Sequence, residues 1–229
     1  MKLILVRHGQ STYNLENRFT GWKDVGLTQQ GMDEAILAGN LLKKNNIIFT
    51  KAYASMLKRS QITLNIILNE MDLKLKPIIN QALNERDYGD LIGQNKEDAA
   101  KKFGEEQVQI WRRSYDIPPP QMEPEHPYKN KIKSDILSES LKDTFNRVVP
   151  YFNKKIKPFI LSKKNILIVF HGNSCRALLM KILNISKEKI TKFEIPTGNP
   201  LLIKFNDKLK VQEFKYLDTK RAKKILFNV

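Results

Sequence analysis

Lys2-Leu3-Ile4-Leu5-Val6 runs straight into Arg7-His8-Gly9, and Asn165-Ile166-Leu167-Ile168-Val169-Phe170 runs straight into His171-Gly172-Asn173. Short, unbroken apolar runs of this kind read as buried strands. Twice, then, a buried strand ends in a histidine and a glycine. In an open parallel sheet the C-terminal ends of the strands form the edge where ligands bind. Only three histidines occur in the 229 residues, and two of them hold these matched places. Beside Arg7, two imidazoles suggest phosphate chemistry by a covalent route, one attacking phosphorus and the other holding its oxygens. His8 alone would read equally well as a strand cap; the second His-Gly end separates the two readings.

Working outward from these strands, the spacing predicts a helix over residues 28–44. Thr28 caps it, and Met32, Ala35, Ile36 and Leu42 recur near helical period. A short strand end at Tyr53-Ala54-Ser55 precedes a helix from Met56 to Met71, with Leu57, Leu64, Leu68 and Met71 on its inner face. Residues 74–80 read as a strand cut by Pro77. Across residues 84–136 the apolar period fades, and Pro118-Pro119-Pro120 forbids a helix there. This long excursion, with one helix over about 97–113, is expected to cap a site. Helical pattern returns over 138–160 and again from Ser174 to Leu183. Leu201–Phe205 and Val211–Tyr216 form a hairpin across Asn206-Asp207. The expectation is a single domain over residues 1–229, with the excursion as an insertion and a loosely ordered lysine-rich tail from about 218.

Composition narrows the class. The length suffices for the core of one α/β domain. The opening apolar run is too short for a signal-peptide core, and no stretch approaches the ~20 apolar residues of a membrane helix, so a cytoplasmic chain without a membrane partner is expected. The single cysteine, Cys175, excludes an internal disulfide framework and argues against a cysteine-rich metal site. The formal net charge of +16 invites a nucleic-acid reading. Against it, only nine of the 40 basic residues are arginines and the lysines are scattered. Zinc-finger spacing and RNA-recognition aromatics are both lacking. A solvated lysine surface that steers an anionic substrate accounts for the charge without a nucleic-acid partner.

Other residues carry chemistry by position. Arg59 opens a helix that follows a strand, which faces it toward the same sheet edge, although a solvated arginine would look the same. Glu85 begins the long excursion; a carboxylate near a phosphohistidine suits general acid and base work, and a surface salt bridge is its bland alternative. Trp111-Arg112-Arg113 offers a clamp for a second anionic group or, more plainly, a helix surface pair.

Taken together, these stretches resemble the histidine phosphatase superfamily, and within it the phosphoglycerate mutases that depend on 2,3-bisphosphoglycerate. The resemblance spans about residues 2–217. Its most specific blocks are Leu5-Val6-Arg7-His8-Gly9, Glu16-Asn17-Arg18-Phe19-Thr20-Gly21-Trp22, Leu83-Asn84-Glu85-Arg86 with Tyr88-Gly89, and Trp111-Arg112-Arg113-Ser114-Tyr115. Further on come Glu139-Ser140-Leu141-Lys142-Asp143-Thr144, His171-Gly172-Asn173-Ser174 and Ile195-Pro196-Thr197-Gly198. The resemblance implies a three-layer α/β sandwich, a mostly parallel sheet with helices on both faces. It implies interconversion of 3-phosphoglycerate and 2-phosphoglycerate in glycolysis and gluconeogenesis, with 2,3-bisphosphoglycerate priming His8 and no metal. His8 would be the phosphorylated nucleophile and Glu85 the proton donor and acceptor. Arg7, Arg59, Asn14, His171 and the Gly172 backbone would hold the transferring phosphoryl group. Ser11, Thr20, Gly21, Tyr88, Lys96, Arg112, Arg113 and Asn173 would hold the rest of the substrate. A homodimer or homotetramer is implied as well.

This sequence departs from the family pattern at four places. Gln10 stands where the family has Glu, a mild change. Asp87 stands where it commonly has His, adding negative charge expected near Glu85. The stretch between Pro120 and Glu139 is shorter than in many bacterial members, and the tail is lysine-rich where the family's is alanine-rich. Three rivals stand beside the mutase: a bisphosphoglycerate mutase, a phosphatase of the same superfamily, and a non-enzymatic polyanion-binding protein. Ser11 and Thr20-Gly21 favour the glycolytic mutase over the first. The last has no reason to keep His8, Glu85 and His171 together.

Overall fold

Alternate side chains of the first strand enter two different cores. Leu3 and Leu5 pack into one, Ile4 and Val6 into the other. That is the period-2 geometry of a strand buried on both faces. The computed structural model describes residues 1–129 and 136–222. Within them the chain runs β1 (Lys2–Arg7), α1 (Thr12–Leu15), α2 (Gln29–Lys44), β2 (Lys51–Ala54), α3 (Lys58–Glu70), β3 (Ile78–Ile79), α4 (Lys96–Phe103) and α5 (Glu105–Arg113). It continues through α6 (Leu141–Tyr151), α7 (Lys157–Leu161), β4 (Ile166–Phe170), α8 (Gly172–Leu183), α9 (Lys187–Ile190), β5 (Leu201–Phe205) and β6 (Val211–Tyr216).

The six strands form one sheet in the order β3-β2-β4-β1-β5-β6. The β1–β4, β4–β2 and β2–β3 pairs are parallel, and β5 pairs antiparallel with both β1 and β6. Ala38 and Leu42 of α2 and Leu64 and Ile67 of α3 cover one face. Leu141 and Val148 of α6 and Ala177 and Leu178 of α8 cover the other. The result is the expected α/β sandwich with helices on both faces. No helix among the described residues is long and apolar enough to cross a membrane.

Register positions the site. Arg7 of β1 lies opposite Phe170 of β4, and the His8 backbone N–H donates to the Phe170 carbonyl at 3.0 Å. The residues that follow, His8 and His171, therefore leave the sheet side by side.

Several elements differ from their sequence-based expectations. The single helix over 97–113 is two, α4 and α5, divided at Gly104 with φ +86°, a conformation that glycine alone adopts without strain. The helix over 138–160 is also interrupted. Between α6 and α7 the backbone widens into a π segment, Phe152–Ile156, just before Pro158, which lacks an N–H to donate back into the helix. The strand over 74–80 shrinks to Ile78–Ile79, immediately after Pro77. Conversely, α8 begins at Gly172, earlier than Ser174. The first residues of the tail are anchored: Arg221 pairs with Asp218 at 2.6 Å and donates to the carbonyls of Thr197 and Gly198. The rest of the tail, 223–229, and part of the shortened stretch, 130–135, lie outside the described residues.

Candidate active site

The loop after β1 is pressed against α2. A Cβ at Gly9 would collide with the Gly31 carbonyl, and one at Gly31 with the Gln10 backbone, so neither position tolerates a side chain. This contact fixes the turn that carries His8. His8 Nδ1 lies 2.7 Å from the Gly9 carbonyl. A carbonyl only accepts, so Nδ1 carries the proton and Nε2 keeps its lone pair. Burial, reinforced by the charges of Arg59 and Arg7, holds the His8 pKa well below its ordinary 6.5. The imidazole is thus neutral and nucleophilic across the physiological range.

His171 packs beside it, with ring centroids 4.9 Å apart and planes inclined by 59°. Its Nε2 bonds Ser55 Oγ at 2.7 Å, at the end of β2. Its Nδ1 is buried without a partner. Burial again lowers its pKa well below 6.5, with Arg59 and His8 adding to the effect. Arg7 and Arg59 repeat the pattern. Arg7 donates to the Ile195 carbonyl, and Arg59 to those of Gly21 and Lys23, while Nε of each is buried and unbonded. Arg59 is almost wholly buried, and desolvation lowers its pKa to about 10. With Ser55 Oγ donating to His171 Nε2, Nδ1 carries the proton, and three buried donors, Arg7 Nε, Arg59 Nε and His171 Nδ1, gather at one strand edge, a set that suits an anion.

Glu85 reaches this edge from the excursion. Its Oε1 accepts the backbone N–H groups of Arg86 at 2.8 Å and Asn173 at 3.1 Å, the second belonging to the N-terminal turn of α8. A Cβ at Gly172 would project to within 3.4 Å of Arg176 Nη1, 3.8 Å of Glu85 Oε2 and 3.9 Å of Arg7 Nε. The missing side chain keeps open the space shared by these groups.

Around this space lies a cavity of about 170 Å³. Its wall includes Arg7, His8, Asn14, Thr20, Gly21, Arg59, Glu85, Tyr88, Lys96, Arg112, Arg113, Gly172 and Asn173. Those residues come from five separate regions of the sequence, 7–21, 59, 85–96, 112–113 and 172–173. Arg18, Phe19 and Arg176 line it too, with no role assigned from sequence. Seven cationic side chains thus face a single carboxylate, Glu85. Burial lowers the pKa of Lys96, Arg112 and Arg176, the last to about 10. Cations desolvated with so little counter-charge select a polyanion. Arg176 had a sequence signal: it sits one turn after Gly172, on the same helix face.

Two expectations meet a different geometry. Ser11 is fully buried and does not line the cavity; it caps α1, accepting from Asn14 N at 3.2 Å, while its own N–H donates to Asn14 Oδ1. Asp87 does not burden Glu85. Its carboxylate turns away, accepting from Gly89 N at 2.7 Å, and the charges it meets are those of Glu139, Arg147 and Lys129. Local bonding explains this: the Asp87 backbone N–H donates to Glu139 Oε2 while its own carboxylate is taken up by the Gly89 N–H. Gln10 likewise faces α2, its Oε1 accepting from Thr28 Oγ1 at 2.9 Å.

Comparison with known proteins agrees with this geometry. The family model described as histidine phosphatase superfamily (branch 1) matches residues 3–214. A protein of Treponema denticola named 2,3-bisphosphoglycerate-dependent phosphoglycerate mutase is 48% identical over 227 residues, covering 95% of this chain and 92% of its own. One of the same name from Porphyromonas gingivalis is 44% identical over 236 residues, covering 98% and 95%. Among solved structures, the α-ribazole phosphatase of Shigella flexneri superposes with a TM-score of 0.69 at 23% identity, over 93% of this chain and 95% of that one; at that identity it speaks for the fold alone. With a family match over nearly the whole length and a histidine pair at the strand edge, the chain belongs to the histidine phosphatase superfamily.

Proposed function

We propose that this chain is a 2,3-bisphosphoglycerate-dependent phosphoglycerate mutase, interconverting 3-phosphoglycerate and 2-phosphoglycerate through a phosphohistidine at His8. The observation that carries the reading is the spread of positive charge. One set, Arg7 and Arg59, surrounds His8 together with the uncharged His171, and a second, Lys96, Arg112 and Arg113, lines the same cavity. A phosphatase needs only the first set. A mutase must keep hold of a substrate with an anionic group at each end.

The residues suit the bisphosphate. The unbonded Nε of Arg7 and of Arg59 and Nδ1 of His171 would hold one phosphate, and Lys96, Arg112 and Arg113 the other end. When bound, 2,3-bisphosphoglycerate supplies the phosphoryl group that primes His8. His8 Nε2 carries that group and passes it to the free hydroxyl of 3-phosphoglycerate. Glu85 takes the hydroxyl proton and returns it when His8 recovers the phosphoryl group from the other carbon. Arg7, Arg59 and His171 stabilise the charge spread over the equatorial oxygens, which outweighs any single base in phosphoryl transfer. The Asn173 N–H fixes Glu85 Oε1 and leaves Oε2 on the Gly172 side for proton exchange.

The deciding experiment is product identity from 3-phosphoglycerate, with and without added 2,3-bisphosphoglycerate. The mutase reading expects 2-phosphoglycerate, formed faster when the bisphosphate is added. Inorganic phosphate as main product would make the chain a phosphatase, and accumulated bisphosphoglycerate would make it a bisphosphoglycerate mutase.

A further inference from the structure

Arg147, on α6, lies outside the cavity, yet its guanidinium is fully engaged beside the segment that carries Glu85. Its Nε donates to Glu139 Oε1 at 2.7 Å and its Nη2 to Glu139 Oε2 at 2.8 Å. Nη1 donates to the carbonyls of Ala82 at 3.0 Å and Asn84 at 2.9 Å, and Nη2 also to that of Glu85 at 2.8 Å. A guanidinium has five N–H groups, and this one makes five bonds. Glu139 is buried and completes the grip from the other side. Its Oε2 accepts from Asp87 N at 2.9 Å, and its own N–H donates to the Asp87 carbonyl at 3.1 Å. Trp22 Nε1 adds a donor to the Glu85 carbonyl at 2.6 Å.

The backbone on both sides of Glu85 is therefore pinned by one ion pair, its carboxylate buried and its guanidinium largely so. Between the short turn at Gln81–Leu83 and Tyr88, no helix or strand supports this segment. The Glu85 carboxylate has two bonds of its own, and the Asn173 N–H bond holds only while the segment keeps its distance from α8.

We infer that Arg147, paired with Glu139, is a positioning residue that holds the Glu85 carboxylate where it exchanges a proton with the substrate hydroxyl. This rests on the proposed function, in which Glu85 is the proton shuttle. A displacement near 1 Å at a reacting group costs roughly 100-fold in rate. Lysine keeps the charge, but a single nitrogen with three donors cannot span Glu139 and three carbonyls. R147K thus loosens the segment while sparing the ion pair.

The test is a double-mutant cycle on the full chain with R147K, E85Q and R147K/E85Q, each checked for cooperative melting. E139Q replaces R147K in the cycle if R147K does not fold. Two reactions are followed: mutase turnover of 3-phosphoglycerate, and phosphorylation of His8 by p-nitrophenyl phosphate, whose leaving group departs without a proton. R147K is expected to lower mutase kcat by about 10- to 100-fold, with KM and nitrophenolate release within about threefold of the parent. In the E85Q background the same change is expected to cost less than about twofold, because a shuttle already lost cannot be lost again. An equal factor in both backgrounds, equal losses in both reactions, or a kcat within twofold of the parent would each overturn the inference. If the parent itself makes no 2-phosphoglycerate, the proposed function falls, and the same cycle is read on hydrolysis of glycerol 2-phosphate, whose alkoxide leaving group needs the proton.

Discussion

The backbone N–H of Asn173 meets Oε1 of Glu85 at 3.1 Å, across 88 residues of sequence. This bond ties the carboxylate from the excursion to the helix that begins directly after His171. The negative charge sits at the positive end of α8, and the two oxygens of Glu85 become unlike: one committed to backbone donors, one facing the open space beside Gly172.

His8→Ala is expected to abolish mutase turnover together with any acid-labile phosphate on the protein. His8 Nε2 keeps its lone pair, whereas His171, the other imidazole at this edge, spends Nε2 on Ser55. Intact-mass analysis after incubation with 2,3-bisphosphoglycerate checks it. One acid-labile phosphate remaining on the variant would assign the nucleophile elsewhere.

Glu85→Gln preserves shape and both backbone bonds to Oε1, and removes the exchangeable proton. The expected loss in kcat is roughly 10²–10⁴, the usual reach of general acid–base catalysis, with little change in KM. Steady-state kinetics on 3-phosphoglycerate decides, and a rate within about threefold of the parent would take Glu85 out of the mechanism.

Asp87 makes stability depend on pH. It is fully buried, its Oδ2 lacks a partner, and desolvation pushes its pKa from 3.8 up to about 6. The folded protein therefore holds this proton more tightly than the unfolded chain. The group's contribution to stability is complete below pH 3.8 and is lost as pH rises through 6. Asp87→Asn, which keeps an acceptor for Gly89 N, should stabilise the protein at pH 8 by on the order of 1–3 kcal/mol. The gain should fade toward pH 4. Melting temperatures of both proteins across that range test this; a gain that stays constant with pH would show that the charge is not its source.

Arg112 and Arg113 bear on the choice between mutase and phosphatase. With both changed to Ala, kcat/KM for 3-phosphoglycerate should fall by more than roughly 100-fold, since each charge-assisted contact is worth about 1.5–3 kcal/mol. Phosphorylation of His8 by a generic donor should suffer far less. Comparable losses in both reactions would mean that the pair supports the fold or the phosphoryl site rather than the far end of the substrate.

Dialysis against EDTA should leave turnover intact, because Arg7 and Arg59 supply the positive field that a divalent ion provides in other phosphoryl-transfer sites, with His171 as a neutral donor beside them. Activity that is lost on dialysis and restored by Mn²⁺ or Mg²⁺ would contradict this.

Much of this protein is written in local sequence. The two apolar runs ending in His-Gly announce buried strands and a ligand-binding edge, because an unbroken apolar run is a property of neighbouring residues. Thr28 caps α2 as its position suggests, accepting from Gly31 N. The hairpin β5–β6 is legible for the same reason. Local pattern failed where one residue outweighs the trend around it, as Gly104 does between α4 and α5 and Pro158 does in the first turn of α7. What only the tertiary structure decided is non-local. The β1–β4 register sets His8 against His171 across 163 residues. Packing desolvates Arg59 and Arg176, turns Asp87 away from Glu85, and spends Ser11 on a helix cap. Arg147 and Glu139 grip the Glu85 segment from 62 and 52 residues away. Period and propensity report which face a residue buries; which distant groups meet there depends on strand register and on the pairing of buried donors with buried acceptors, and those exist only once the chain has folded.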